Sequence, residues 1–179
     1  MSLKKFAVGG VCSVAVIIGV VLSEYSDQIR TGQTGLEIIG NAEGCRRDPY
    51  RCPADVLTVG IGSTEFGGEK IDPNKRYSDK EIADRWARDI MTAEQCVNRF
   101  ANGEKLPQGA FEALTSLTFN VGCGKLKTST IYHYAKQGDI RAMCEQFPRW
   151  KYSGGKILKG LVTRREKERA LCLSDLKVR

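Results

Sequence analysis

Histidine is almost absent: the 179 residues contain one, His133. Catalytic zinc sites usually draw on two or three histidine ligands, so a zinc amidase is disfavoured. A Cys–His nucleophile pair is left with a single candidate base. There is no glycine-rich phosphate loop, so nucleotide chemistry has no support. No internal repeat or low-complexity tract interrupts the chain, and the one long uncharged apolar run lies at the N-terminus. Hydrophobic residues make up 41% and charged residues 27%, the balance of one globular domain with a short appendage.

The net charge of +7 suits an anionic partner: nucleic acid, acidic lipid or bacterial wall polymer. Charge alone does not separate these, nor does it exclude a purely solubilising role. Seven cysteines point to an oxidising compartment. Their odd number leaves at least one thiol free. Cys12 lies inside the apolar run, and Cys45 and Cys52 bracket a carboxylate-and-turn segment, EGCRRDPYRC.

The run Phe6 to Ser23 carries no charge, and Lys4 and Lys5 precede it. Eighteen residues is near the lower limit for a bilayer span, and the lysines would hold the N-terminus in the cytoplasm while the rest is exported. Three glycines, two alanines, Ser13 and Cys12 dilute ten strong apolar residues. Those ten supply roughly 3–6 kcal/mol of insertion energy, which makes a marginal anchor. A cleaved signal peptide and a permanent anchor compete with the favoured reading, a retained signal anchor able to leave the membrane. The chain is thus divided into an anchor at 1–23, a polar linker at 24–33 and a domain at 34–179.

In the domain, Thr34 and Glu37 have capping-box spacing and predict a short helix ending near Gly44, with Glu43 in its last turn. Pro49 and Pro53 predict turns, and Val56 to Gly62 reads as a strand. Ser78 and Glu81 open a second predicted helix reaching about Arg99, and Pro107 starts a third. Thr128–Gln137, Asp139–Phe147 and Thr163–Leu171 read as further helices, with Gly154-Gly155 as a loop. The class is α+β: a small N-terminal lobe with a short sheet and a larger helical lobe.

Cleaving a glycosidic bond needs a proton donor on one side and a group that places water on the other. A lone Glu near a helix end is usually a solvated surface group. Here, however, Glu43-Gly44 is followed by Thr58-Val59-Gly60-Ile61-Gly62, fifteen residues from Glu to Thr. This resembles the active-site signature of phage-type lysozymes of the T-even and lambdoid phages. Gly160 to Arg169 and Leu117-Thr118-Phe119-Asn120-Val121-Gly122 resemble the lambdoid branch as well, so the likeness covers about residues 34–175.

The resemblance implies a lysozyme-like fold and a muramidase that cleaves the β-1,4 bond between N-acetylmuramic acid and N-acetylglucosamine. Glu43 would be the general acid and Thr58 would hold the attacking water or the substrate. Cys52 stands where the family has an Asp and would take the water-side role, ahead of Asp48 or Asp55. The chain also resembles the signal-anchor-release endolysins. That implies a Cys45–Cys52 bridge in the tethered form and attack by Cys12 on Cys45 after release, which frees Cys52. Static bridges are expected between Cys144 and Cys172 and between Cys96 and Cys123. Asn120, Trp150 and Tyr152 are candidate sugar contacts, whereas His133 is expected as a helix-surface or packing residue. Arg164, Arg165 and Arg169 would meet wall carboxylates, or else Arg165 would pair with Glu168, or Glu166 with Arg169, along the helix. The expected partners are peptidoglycan, the host inner membrane through residues 6–23 and the export machinery. No nucleic acid, metal or cofactor is expected, and the protein should be a monomer, first tethered and then soluble in the periplasm. The competing functions are a lytic transglycosylase, a wall cysteine peptidase or amidase using Cys52 and His133, and a non-enzymatic wall-binding protein.

Overall fold

The computed structural model describes residues 10–176; Lys4, Lys5 and the first part of the apolar run, residues 6–9, lie outside them. The rest of the run forms helix α1 (Val14–Tyr25), whose first turn is capped by Ser13, the hydroxyl accepting from the Val16 N–H at 3.3 Å. Among the described residues no helix is long and apolar enough to cross a membrane. Instead α1 packs on α2 (Gln33–Glu43) and α3 (Asp79–Ala101) and buries Ile17, Ile18 and Val21 in the core. Burial of such side chains contributes roughly 1.5–3 kcal/mol each. Gly40 allows the close approach, since a β-carbon there would stand 2.6 Å from Val14 Cγ1.

The segment expected as a linker is the end of α1 followed by a fastened turn. The Tyr25 hydroxyl donates to Asp84 at 2.7 Å. The Thr31 N–H and hydroxyl both donate to Glu94 Oε1 at 2.6 Å. The Thr34–Glu37 capping box does not form. Gly32 is the N-cap of α2, and the buried Glu112 carboxylate, from α4 (Gln108–Val121), accepts the N–H groups of Gly32 and Gly35 at 2.9 Å each. A full negative charge at the positive end of a helix is a stronger cap than a hydroxyl.

A three-stranded antiparallel sheet follows in the order β1 (Arg46–Arg51), β2 (Leu57–Gly60), β3 (Ser63–Thr64). Strand β1 replaces the turns expected around Pro49. The proline is tolerated because the ladder is broken between Arg46 and Tyr50, where no N–H is needed. Residues 10–12 extend this sheet: Val11 bridges to Arg46, and the Arg47 N–H donates to Gly10 O at 2.8 Å.

The Ser78–Glu81 capping box forms and opens α3, which joins two cores. Ile82, Trp86 and Ile90 belong to the core of the sheet lobe, and Cys96, Val97 and Ala101 to that of the helical lobe. The helical lobe is completed by α5 (Cys123–Leu126), α6 (Thr130–Gln137), α7 (Ile140–Cys144) and α8 (Lys159–Ser174). Gly154 and Gly155, both at positive φ, turn a hairpin of β4 (Tyr152–Ser153) and β5 (Lys156–Ile157). The α+β division into a small sheet lobe and a larger helical lobe is therefore correct. Disulfides join Cys12 to Cys45, Cys96 to Cys123 and Cys144 to Cys172.

Candidate active site

Glu43 ends α2, and Gly44 at φ 73° turns the chain away while its N–H closes the helix on Gly40 O. The Glu43 carboxylate points between the lobes. On one side, Oε2 would lie a tight 3.2 Å from any β-carbon at Gly62, whose φ of 72° itself favours glycine. On the other side, Oε1 accepts from Arg164 Nη1 of α8 at 2.7 Å. A cavity of about 490 Å³ opens beside this pair, lined by Asn41, Glu43, Asn120, Leu161, Thr163 and Arg164 among others. A second, of about 260 Å³, lies beyond Gly62 and is lined by Thr64, Asp89, Thr118 and Phe119 among others. Burial pushes the Asp89 carboxyl above the usual carboxylate range, opposed by the Ser63 hydroxyl, which donates to it at 2.6 Å.

Cys52 follows β1 and is the one free cysteine among the described residues, half-buried. Its thiol is held below its usual value, first by the backbone N–H of Val56, then by that of Ala54 and by the Thr58 hydroxyl. Thr58 lies on β2, opposite Tyr50 of β1. Its single hydroxyl proton goes to Val56 O at 3.0 Å in this arrangement. Turned toward Cys52, the same proton would stabilise a thiolate.

Tyr50 was not singled out from the sequence. Burial pushes its phenol above the usual value, the negative charge of Glu43 adds to this, and Arg46, stacked over the ring at 4.7 Å, opposes it. Tyr50 thus stands within electrostatic reach of both Glu43 and Cys52. Its position opposite Thr58 on a paired strand was the available signal, lost when β1 was read as turns. Asp48 and Asp55, the alternative bases, face elsewhere: Asp48 pairs with Arg76 at 3.7 Å and Asp55 is an exposed loop residue beside Arg51.

Asn120 lines the Glu43 cavity and accepts from Arg165 Nη2 at 3.2 Å. Trp150 and Tyr152 do not line it; Trp150 packs against the helical core and Tyr152 is exposed on β4. His133 is exposed on α6. Arg164 and Arg165 are not surface cations for wall carboxylates: they are 4% and 0% exposed, and Arg165 pairs with Glu168 along the helix, the alternative expected for it. Arg169 pairs with Glu145 of α7 at 2.8 Å rather than with Glu166. The Arg164–Glu43 pair spans 121 residues and leaves no local mark in the sequence.

Comparison with known proteins places this geometry. The phage lysozyme family model matches residues 40–168. The chain is 44% identical to the SAR-endolysin of Escherichia phage P1, over 96% of this chain and 97% of that protein. The crystal structure of the active form of P1 phage endolysin Lyz superposes with a TM-score of 0.86 at 44% identity, covering 94% of this chain and 97% of that one. The secreted inactive form of the same endolysin gives a TM-score of 0.59 at 43% identity, covering 82% and 97%.

Proposed function

The chain belongs to the phage lysozyme family, and on that premise we propose that it is an endolysin that hydrolyses the β-1,4 bond between N-acetylmuramic acid and N-acetylglucosamine, exported inactive and switched on by release from the membrane. That it is a lysozyme-type glycoside hydrolase acting on peptidoglycan follows from the family. The observation that carries the finer reading is the setting of Glu43: a carboxylate at a helix end, facing a cavity between two lobes, with Gly62 beneath it and Arg164 fixing its aim.

Glu43 protonates the leaving glycosidic oxygen. Water adds to the sugar carbon from the opposite face, placed by the Thr58 hydroxyl, and gives up its proton on the Cys52 side. A thiol already favoured as thiolate by two backbone N–H groups suits that role better than an ordinary thiol. Asn120 is a candidate sugar contact at the cavity wall.

Before release, residues 6–23 anchor the protein in the host inner membrane after delivery by the export machinery, with Cys45 bridged to Cys52. After release the Cys12 thiolate attacks the Cys45 sulfur, the Cys12–Cys45 bond forms, and the Cys52 thiolate leaves. One disulfide is exchanged for another, so no external oxidant or reductant enters. A thiol with a lowered pKa is the better leaving group. The released conformation is supported by the Cys12–Cys45 bond, the free Cys52, the docking of α1 and the higher likeness to the active form of the P1 endolysin. The released protein is then a soluble periplasmic monomer.

The test is Glu43→Gln in the released protein. We expect loss of wall hydrolysis with the fold intact, while His133→Ala stays active. Wild-type products should carry the mass of added water. An anhydro-sugar end would make the enzyme a lytic transglycosylase instead, and an active Glu43→Gln would end the muramidase reading. Non-reducing peptide mapping of tethered and released protein tests the switch, and identical pairing in both would sink it.

A further inference from the structure

Behind Glu43 lies an interior charge cluster of which the proposed mechanism uses only Arg164. Arg164 and Arg165 are neighbours on α8, and Glu168, 0% exposed, sits one turn further on. Glu168 Oε1 accepts from the Ser116 hydroxyl at 2.6 Å, from Arg164 Nε at 3.2 Å and from Arg165 Nη2 at 3.1 Å. Its Oε2 is 2.8 Å from Arg165 Nε as an ion pair. The charged groups around it are both donors, and the geometry suits a carboxylate. Arg164 meanwhile holds the Ser116 carbonyl through Nη2 at 3.0 Å and extends Nη1 to Glu43. Arg165 Nη1 has no partner at all, and the remaining contact of Arg165 is Asn120.

The charges can be counted. The cluster holds two guanidiniums, Arg164 and Arg165, against two carboxylates, Glu43 and Glu168. The facing surface of α4 adds the neutral groups Ser116 and Asn120; β1 adds the neutral phenol of Tyr50 with Arg46 stacked over it; and α8 adds Lys167, exposed to solvent at the rim of the cavity that Glu43 and Arg164 line. When Glu43 carries the proton it must donate, Glu168 is the one anion left among these groups. Buried guanidiniums without a counter-ion are costly, and the deficit would be relieved by Glu43 giving up its proton to the solvent.

We propose that Glu168 is a positioning residue for proton donation: shared between Arg164 and Arg165, it neutralises part of their charge, so that Glu43 can keep a proton while Arg164 still holds it toward the cleft. The inference rests on Glu43 being the proton donor. Arg164 serves two carboxylates at once, and Glu168 decides how much of its charge is left for Glu43. The burial that pushes the Glu168 carboxyl upward and lowers Arg165 to about 10 marks the same shortage of solvent around the cluster.

The experiment is the pH profile of wall hydrolysis by purified released protein at fixed ionic strength, for wild type, Glu168→Gln, Arg165→Gln and the double variant. Glu168→Gln keeps the shape and removes the charge. Its alkaline limb should move down by about one pH unit, cutting activity on that limb roughly tenfold while the acidic side is retained. Arg165→Gln should move the limb the other way, and the double variant should return it close to wild type. A uniform loss at every pH, with the limb of each folded variant unmoved, overturns the proposal and leaves Glu168 a structural group. Near-UV circular dichroism identifies the folded variants. Should Glu168→Gln fail to fold, Arg165→Gln decides by itself: an upward shift supports the proposal and an unmoved limb refutes it. An active Glu43→Gln would instead overturn the donor assignment, so the two failures are distinguishable.

Discussion

Replacing Gly40 by alanine sets helix propensity against packing. In an exposed helix interior, Gly→Ala gains about 1 kcal/mol. At Gly40 the new methyl would stand 2.6 Å from Val14 Cγ1 and 3.4 Å from Trp86 Cη2. Carbon atoms pack at about 3.5–4.0 Å, so α1 and α2 would have to separate by about 1 Å. Trp86 is fully buried and cannot yield, and Val14 follows Cys12, which is tied to Cys45. Overpacking of this kind costs about 1–3 kcal/mol. The net effect is a destabilisation of about 1 kcal/mol, or a Tm lower by about 2–4 °C for a chain of this size. Val14→Ala removes the colliding methyl, so in that background Gly40→Ala should raise the Tm by a similar amount. Thermal unfolding of the four proteins by circular dichroism, on released material at one ionic strength, reads out this change of sign. If Gly40→Ala raises the Tm in both backgrounds, α1 does not dock on α2 in solution as described.

The Cys52 thiol should react with iodoacetamide along a pH curve whose midpoint lies below the reference value of 9.0, because donors from Val56, Ala54 and Thr58 favour the thiolate. Thr58→Val removes one of these donors and should move the midpoint upward, and an unchanged curve would show that the hydroxyl does not reach the sulfur. Glu112→Gln should cost about 1–3 kcal/mol, since one of the two N–H groups of Gly32 and Gly35 then faces an NH2 instead of an oxygen. Chemical denaturation measures it, and a change under about 0.5 kcal/mol would mean that solvent caps α2 as well as the carboxylate does.

What was legible in the sequence was local. The capping box at Ser78 and Glu81 and the proline before α4 each act within one turn and were read correctly. The strand carrying Thr58 and the helix end at Glu43 were read for the same reason. The errors came where distant groups overrule local ones. Thr34 lost its capping role to Glu112, a residue seventy-eight positions away in the chain. Pro49 suggested turns, but β2 paired on either side of it. The Arg165–Glu168 pair, three residues apart on one helix, was legible, but nothing near Arg164 and Arg165 foretells Ser116, Asn120 or Glu43. Trp150 and Tyr152 were aromatic residues near a loop, and packing claimed the first of them.

Helix α1 has a consequence for how this chain can change. Under the tethered reading, Ile17, Ile18 and Val21 face lipid tails at one stage and Trp86 and its neighbours at another. Ala15, Val16 and Gly19 face outward in the docked helix. Greasier outward residues would delay escape from the bilayer, and more polar inward ones would empty the core that the released protein depends on. One short stretch of side chains therefore has to be acceptable to two solvents. On that reading its drift is bounded on both sides, and the timing of lysis and the stability of the lysing enzyme would be inherited together.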